Sequence, residues 1–146
     1  MMDRLAALIA RHEGRVLNQA GRHIVYKDSL GYDTIGYGRL LSRGLSEDEA
    51  RHLLANDVAD HRNELLVHLP WAQALDEVRR AVLVDMAFNL GVPGLLGFRR
   101  MLAAVRARDW ETAAREMLDS RWAGQVGHRA EELAKMMTTG EWPEEV

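Results

Sequence analysis

The chain has 146 residues, no cysteine and a formal net charge of −3, and 47% of its residues are hydrophobic. A chain of this length can bury a core in one domain without disulfide bonds, and the absence of cysteine excludes thiolate chemistry. Neither half of the chain has an excess of basic residues, so no nucleic-acid partner is expected. The N-terminal apolar run is short and interrupted by charged residues, so neither a signal peptide nor membrane insertion is expected.

The N-terminal third changes character at Gly14. Residues 3–13 are predicted to form a helix that Asp3 caps and Gly14 ends. Residues 15–45 are rich in glycine, and β-branched and aromatic residues alternate in HIVYKD and YDTIGYG. This pattern predicts a small antiparallel sheet of two or three strands, with Leu30 and Gly31 in a turn between them.

The rest of the chain has helical periodicity. Ser46 and Glu49 have the spacing of a capping box, which predicts a long helix over residues 46–66 that Pro70 closes off. Gly140 is the expected final cap. Further helices are predicted over 76–90, 95–107, 109–119, 121–125 and 128–138.

These elements predict an α+β fold that is mostly α. A sheet lobe over about 14–45 is expected to be joined by the linking helix to a larger helical lobe over about 70–146, against which helix 3–13 packs. A cleft between two lobes is the usual place for an extended ligand.

Two carboxylates are candidates for catalysis. Glu13 occupies the last turn of its helix, where the negative end of the macrodipole favours the protonated acid, although a solvated helix end explains it equally well. Asp28 precedes a glycine turn, where aspartate often binds backbone amides. If Leu30-Gly31 is the hairpin tip, Thr34 faces Asp28 across it, and the two side chains could hold one water.

These three residues fit hydrolysis of a glycosidic bond. One carboxylic acid protonates the leaving oxygen, and the other carboxylate activates water on the far face of the sugar; inverting enzymes keep the two roughly 6.5–9.5 Å apart. Gly31, Gly36 and Gly38 would let a saccharide approach the backbone. Nucleophilic attack by Asp28 with retention is the alternative chemistry.

The order of motifs resembles the phage-type lysozymes of glycoside hydrolase family 24. The resemblance runs from Glu13 to Trp142 and rests on HEG, YKDSLGYDTIGYGRLL, RRAVLVDMAFNLG, GLLGF, DSRW, RAEEL and TGEW. It implies a lysozyme-like fold and an inverting muramidase that cleaves the β-1,4 bond between N-acetylmuramic acid and N-acetylglucosamine. It further implies a monomer that acts without cofactor or metal on peptidoglycan glycan strands.

The resemblance also assigns residues to roles. Glu13 matches the general acid, Asp28 the second carboxylate and Thr34 the threonine that positions water. Leu40 and Phe88 match positions that line the saccharide cleft, and Arg129 matches an arginine that orients the acid. Such an enzyme is expected in the cytoplasm of a host bacterium on synthesis and at the cell wall after release.

The chain departs from the family pattern in three places. Fifteen positions separate Glu13 from Asp28, about six more than the family usually has, and Gly21 predicts a hairpin or loop within residues 15–23. Met101 and Glu116 replace small polar residues of the cleft, which would alter sugar contacts. Arg39 replaces a histidine that in the family pairs with an aspartate, which Asp57 matches here, and we expect an ion pair between Arg39 and Asp57.

Other functions fit the sequence less well than hydrolysis does. The histidines lack the spacing of metal ligands; they are His12, His23, His52, His61, His68 and His128. The glycine-rich segment has no GK[ST] and opens no helix, so it does not indicate a phosphate loop. A non-catalytic wall-binding module on the same fold and a chitin-active variant remain the alternatives to a muramidase.

Overall fold

The computed structural model describes residues 3–144. They cluster into two compact units that meet in sequence between Arg51 and His52, here called the sheet unit and the helical unit. The described residues are mostly helical and include a small antiparallel sheet, which confirms the predicted α+β class. The predicted packing of the first helix on the helical lobe stays a prediction.

The first helix, α1, spans Arg4–Glu13 as predicted. The Asp3 carboxylate accepts a hydrogen bond from the Ala6 amide at 2.7 Å and so satisfies one of the free N–H groups at the helix start. Gly14 ends the helix with φ of +68°, a conformation that costs glycine little. These two caps fix Glu13 as the last helical residue.

The sheet has three short strands in the order β1 (Tyr26–Lys27), β2 (Asp33–Ile35) and β3 (Arg39–Leu40). Both pairings are antiparallel, with Thr34 opposite Tyr26 on one side and opposite Leu40 on the other. The predicted turn at Leu30-Gly31 lies between β1 and β2. The sheet therefore places Thr34 on its central strand.

Helix α2 spans Glu47–His68 and begins with the predicted capping box. The Glu49 amide donates to the Ser46 hydroxyl at 3.1 Å, and the Ser46 amide donates to the Glu49 carboxylate at 2.9 Å. The expected pairing of Arg39 with Asp57 is wrong: Arg39 donates to Glu49. Glu49 lies in the first turn of α2, and the capping box holds its carboxylate at the helix start, within reach of Arg39 in β3.

The Arg39–Glu49 pair makes the stability of the sheet unit sensitive to acid. The hydrogen bond from Arg39 is the largest of the effects that lower the pKa of Glu49 to about 2. A carboxylate with a depressed pKa stabilises the fold above its ordinary pKa, and this contribution is lost as the pH falls towards about 2. As the pH is lowered from 4.5 towards about 2, the free energy of unfolding should fall less in Glu49→Gln than in the wild type, as measured by urea unfolding at several pH values. If the free energy of unfolding falls with pH equally in both proteins, this prediction is wrong.

The helical unit contains the end of α2 and six further described α-helices. They are α3 (Glu77–Leu90), α4 (Val92–Leu96), α5 (Arg99–Arg106), α6 (Trp110–Leu118), α7 (Arg121–Val126) and α8 (His128–Thr139). The predicted helix over 95–107 is wrong at its start. Phe98, with φ −79° and ψ 58°, interrupts the helical backbone and separates α4 from α5.

The core of the helical unit is apolar and continuous. Helix α6 packs against α5 and α8, and α3 packs against α4 and α8. The largest fully buried apolar side chains come from α2 to α8: Leu65, Leu83, Met86, Leu95, Met101, Met117 and Met137. Arg79 lies 4.1 Å from the centre of the Trp110 ring and donates to the Met137 carbonyl, which satisfies one free carbonyl at the end of α8.

Candidate active site

Glu13 lies at the exposed end of α1, and its carboxylate lies beside Gly38 in the turn between β2 and β3. A β-carbon added to Gly38 would lie 3.2 Å from Oε2 of Glu13 and 3.3 Å from its carboxyl carbon. The backbone of Gly38 also has φ of +88°, which residues with a β-carbon rarely adopt. The backbone conformation therefore favours glycine at position 38, and a β-carbon there would shift the Glu13 carboxylate by a few tenths of an ångström.

The position of the Glu13 carboxylate beside Gly38 changes the interpretation of the three glycines at positions 31, 36 and 38. The sequence suggested that Gly31, Gly36 and Gly38 make room for a saccharide, whereas Gly38 makes room for the catalytic candidate Glu13. Gly36 has φ of +67° and no heavy atom within 4 Å of an added β-carbon. Gly31 closes the hairpin loop with φ of +84°.

Asp28 stands at the end of β1, where it organises the hairpin loop. Its Oδ1 accepts hydrogen bonds from the amides of Leu30 at 2.9 Å and Tyr32 at 2.8 Å. Among the described residues, no hydrogen bond reaches its other oxygen, Oδ2. The turn-capping role and a catalytic role are therefore compatible, because the backbone fixes one oxygen and leaves the other for a ligand.

Thr34 is the one buried polar residue among the described residues, with 1% of its surface exposed. Its hydroxyl donates to the Tyr32 carbonyl at 2.9 Å. The hydroxyl proton is thereby engaged, and the remaining lone pairs of Oγ1 can only accept. A water beside Thr34 would have to point a hydrogen at it.

The register corrects one expectation about this pair. Asp28 does not face Thr34 directly, because its amide donates to the Tyr32 carbonyl at 2.9 Å and Thr34 is paired with Tyr26. The three residues of the loop, Ser29 to Gly31, set this register. Asp28 and Tyr26 are two positions apart, so Asp28 and Thr34 are diagonal neighbours on one face of the hairpin.

The sheet unit thus contains four of the predicted site residues. Glu13, Asp28 and Thr34 belong to it, and Leu40 lies opposite Thr34 in the sheet with 37% of its surface exposed. The other two predicted residues, Phe88 and Arg129, belong to the helical unit. Of the two cleft substitutions, Met101 is fully buried in the core of that unit, whereas Glu116 is half-buried.

Phe88 and Arg129 line a groove of about 510 Å³ in the helical unit. The Phe88 ring packs on His61 at 5.2 Å between centres. Nε of Arg129 donates to Oδ1 of Asp85 at 2.8 Å. Asp85 was not among the predicted site residues. It lies three positions before Phe88 in α3, and this spacing indicates that the two residues share a helix face.

Comparison with known proteins identifies the family. The family model described as phage lysozyme matches residues 17–137 of this chain. The chain belongs to the phage lysozyme family. The match covers the sheet with Asp28 and Thr34 and nearly all of the helical unit, and it agrees with a lysozyme-like fold. It begins four residues after Glu13, so the role of Glu13 has to be argued from its position.

Three relatives illustrate the range of this similarity. The pre-baseplate central spike protein Gp5 of Enterobacteria phage T4 is 30% identical over 165 aligned residues, which cover 93% of this chain but only 28% of Gp5. Two probable T4-type lysozymes of Dictyostelium discoideum are 26% and 23% identical. Those alignments cover 80% and 96% of this chain, and 86% and 96% of the relatives.

Within residues 3–144, no group of three or more histidine, aspartate or glutamate side chains is placed to hold a metal ion. In the same range, every helix is too short or too polar to cross a bilayer.

Proposed function

We propose that the protein is a muramidase that hydrolyses the β-1,4 bond between N-acetylmuramic acid and N-acetylglucosamine with inversion. The observation that carries this proposal is the position of the Glu13 carboxylate beside Gly38. It brings an exposed acid at a helix end to the same small sheet that holds Asp28 and Thr34. Membership of the phage lysozyme family supports the substrate class.

Glu13 acts as the general acid. Its exposed carboxyl group is free to meet the glycosidic oxygen of a bound glycan, and it transfers its proton to that oxygen as the bond breaks. General acid catalysis of this kind is typically worth about 10²–10⁴ in rate.

Asp28 and Thr34 hold the attacking water. The water donates one hydrogen to Oγ1 of Thr34, which can only accept because its own proton is engaged by the Tyr32 carbonyl. Since only 1% of Thr34 is exposed, this step requires the residues that cover Thr34 to move aside when the glycan binds. The water donates the other hydrogen to Oδ2 of Asp28, the oxygen that the loop amides leave open. With both hydrogens engaged, a lone pair of the water points towards the anomeric carbon, and Asp28 takes up the proton that is released.

The remaining predicted residues are proposed to bind or orient. Leu40 and Phe88 both expose 37% of their surface, and each offers an apolar surface suited to a pyranose ring. Arg129, held by Asp85, is proposed from the family resemblance to orient Glu13.

Digestion of purified peptidoglycan tests the proposal. After reduction of the products with borohydride, a muramidase yields muramic acid in its reduced form at the new chain ends. We expect that product to accumulate with time. Reduced glucosamine instead would indicate cleavage of the other glycosidic bond, and release of no reducing sugar would indicate a wall-binding module. Parallel digestion of chitooligosaccharides distinguishes a chitin-active enzyme.

A further inference from the structure

The segment between Glu13 and Asp28 folds into its own small hairpin, residues 16–24. The Asn18 amide donates to the Arg22 carbonyl at 2.9 Å, and Leu17 pairs with His23 across the hairpin. The Asn18 side chain accepts from the Ala20 and Arg22 amides. These local bonds define the turn without help from the rest of the sheet unit, and they confirm the predicted hairpin at Gly21.

The returning arm of this hairpin ends against the turn between β2 and β3. The His23 ring packs edge-on against Tyr37, with 5.0 Å between ring centres and 69° between planes. Nδ1 of His23 is buried, and in the described part of the chain it has no hydrogen-bond partner. The contact is therefore one of packing, and an apolar ring of similar size could replace the imidazole.

Tyr37 is the residue between the two glycines of this turn. Gly36 and Gly38 have φ of +67° and +88°, and glycine loses more conformational entropy on folding than any other residue. A turn built in this way is loosely specified by its own backbone. Because the Glu13 carboxylate lies beside Gly38, movement of the turn changes the backbone surface next to the acid.

We propose that His23 is a positioning residue for the general acid. The inserted hairpin braces Tyr37 through His23, Tyr37 fixes the turn, and Gly38 then holds the carboxylate of Glu13 in one orientation. The inference rests on the proposed catalytic role of Glu13. It assigns a function to the segment that makes the spacing between Glu13 and Asp28 longer than the family pattern.

Steady-state kinetics on soluble peptidoglycan oligomers test the brace with four variants. His23→Ala and Tyr37→Ala are expected to lower kcat roughly three- to tenfold and to leave KM unchanged, because the substrate does not contact either ring in this scheme. The double variant is expected to be no worse than either single variant, since both break the same contact. His23→Phe keeps the packing and should retain the wild-type kcat.

Controls separate this inference from the proposed function and from loss of stability. Gln19→Ala, at the exposed tip of the hairpin, should change neither kcat nor KM. An NMR cross-peak between the Gly38 α-protons and the Glu13 γ-protons should weaken in His23→Ala and persist in His23→Phe. If His23→Ala keeps this cross-peak and the wild-type kcat while Glu13→Gln is inactive, the positioning role of His23 is refuted. A raised KM with unchanged kcat in His23→Ala refutes it as well. An active Glu13→Gln refutes the proposed function instead.

Discussion

Glu13→Gln is expected to lower the rate of peptidoglycan hydrolysis by about 10²–10⁴-fold and to leave the protein folded. Glutamine has nearly the same shape as protonated glutamate, but its amide cannot transfer a proton to the glycosidic oxygen. The side chain is exposed at a helix end, and surface substitutions usually change the free energy of unfolding by less than about 0.5 kcal/mol. Activity should be measured by the release of reducing sugar, and stability by thermal unfolding.

Asp33→Asn is the matched control for this variant. Asp33 is an exposed carboxylate of the same sheet unit, and it pairs with Lys27 at 2.6 Å across the hairpin. Its loss should cost little stability because exposed ion pairs contribute little, and it should leave the hydrolysis rate close to the wild-type value. A Glu13→Gln protein with more than about a tenth of wild-type activity would contradict the assignment of the acid, since the predicted loss is at least 10²-fold.

Gly38→Ala is expected to damage both stability and catalysis. The backbone conformation at φ +88° costs an alanine about 1–3 kcal/mol. The new methyl group would also lie 3.2 Å from Oε2 of Glu13, so the carboxylate has to move. The shift required of the carboxylate is a few tenths of an ångström. Because displacement of a catalytic group by about 1 Å can cost roughly 10²-fold in rate, we expect this smaller shift to lower kcat by roughly three- to tenfold.

Gly36→Ala separates these two effects. Gly36 also has a positive φ, but a β-carbon there would meet no atom within 4 Å. The two variants should therefore lose similar amounts of stability in urea unfolding, while Gly38→Ala alone loses most of its kcat at a temperature where both are folded. Equal losses of kcat would show that strain in the turn, and not contact with Glu13, explains the effect.

Local chemistry made several parts of the sheet unit predictable from the sequence. Asp3 and Gly14 fix the ends of α1 because caps are satisfied by residues three or four positions apart. The capping box of α2 is predictable for the same reason. The chain positions of Glu13 and Asp28 likewise followed from a helix end and a strand end.

Contacts between elements were less predictable. The sequence did not specify the hairpin register, so it placed Thr34 directly opposite Asp28 instead of diagonally. The predicted partner of Arg39 was Asp57, whereas the observed partner is Glu49. The choice between these carboxylates depends on where β3 lies relative to the start of α2. Glu13 and Gly38 are 25 positions apart in the sequence, and no pattern of composition or periodicity indicates that they lie side by side.

The configuration of the first product tests the central claim most directly, because the claim is that Asp28 and Thr34 deliver a water to the anomeric carbon. Wild-type enzyme should be mixed with soluble peptidoglycan oligomers and followed by proton NMR before the new reducing end equilibrates. Single displacement by water on a β-linked substrate predicts that the α-anomer of N-acetylmuramic acid appears first. Initial release of the β-anomer would show retention, and it would contradict the assignment of Asp28 as the base that activates water.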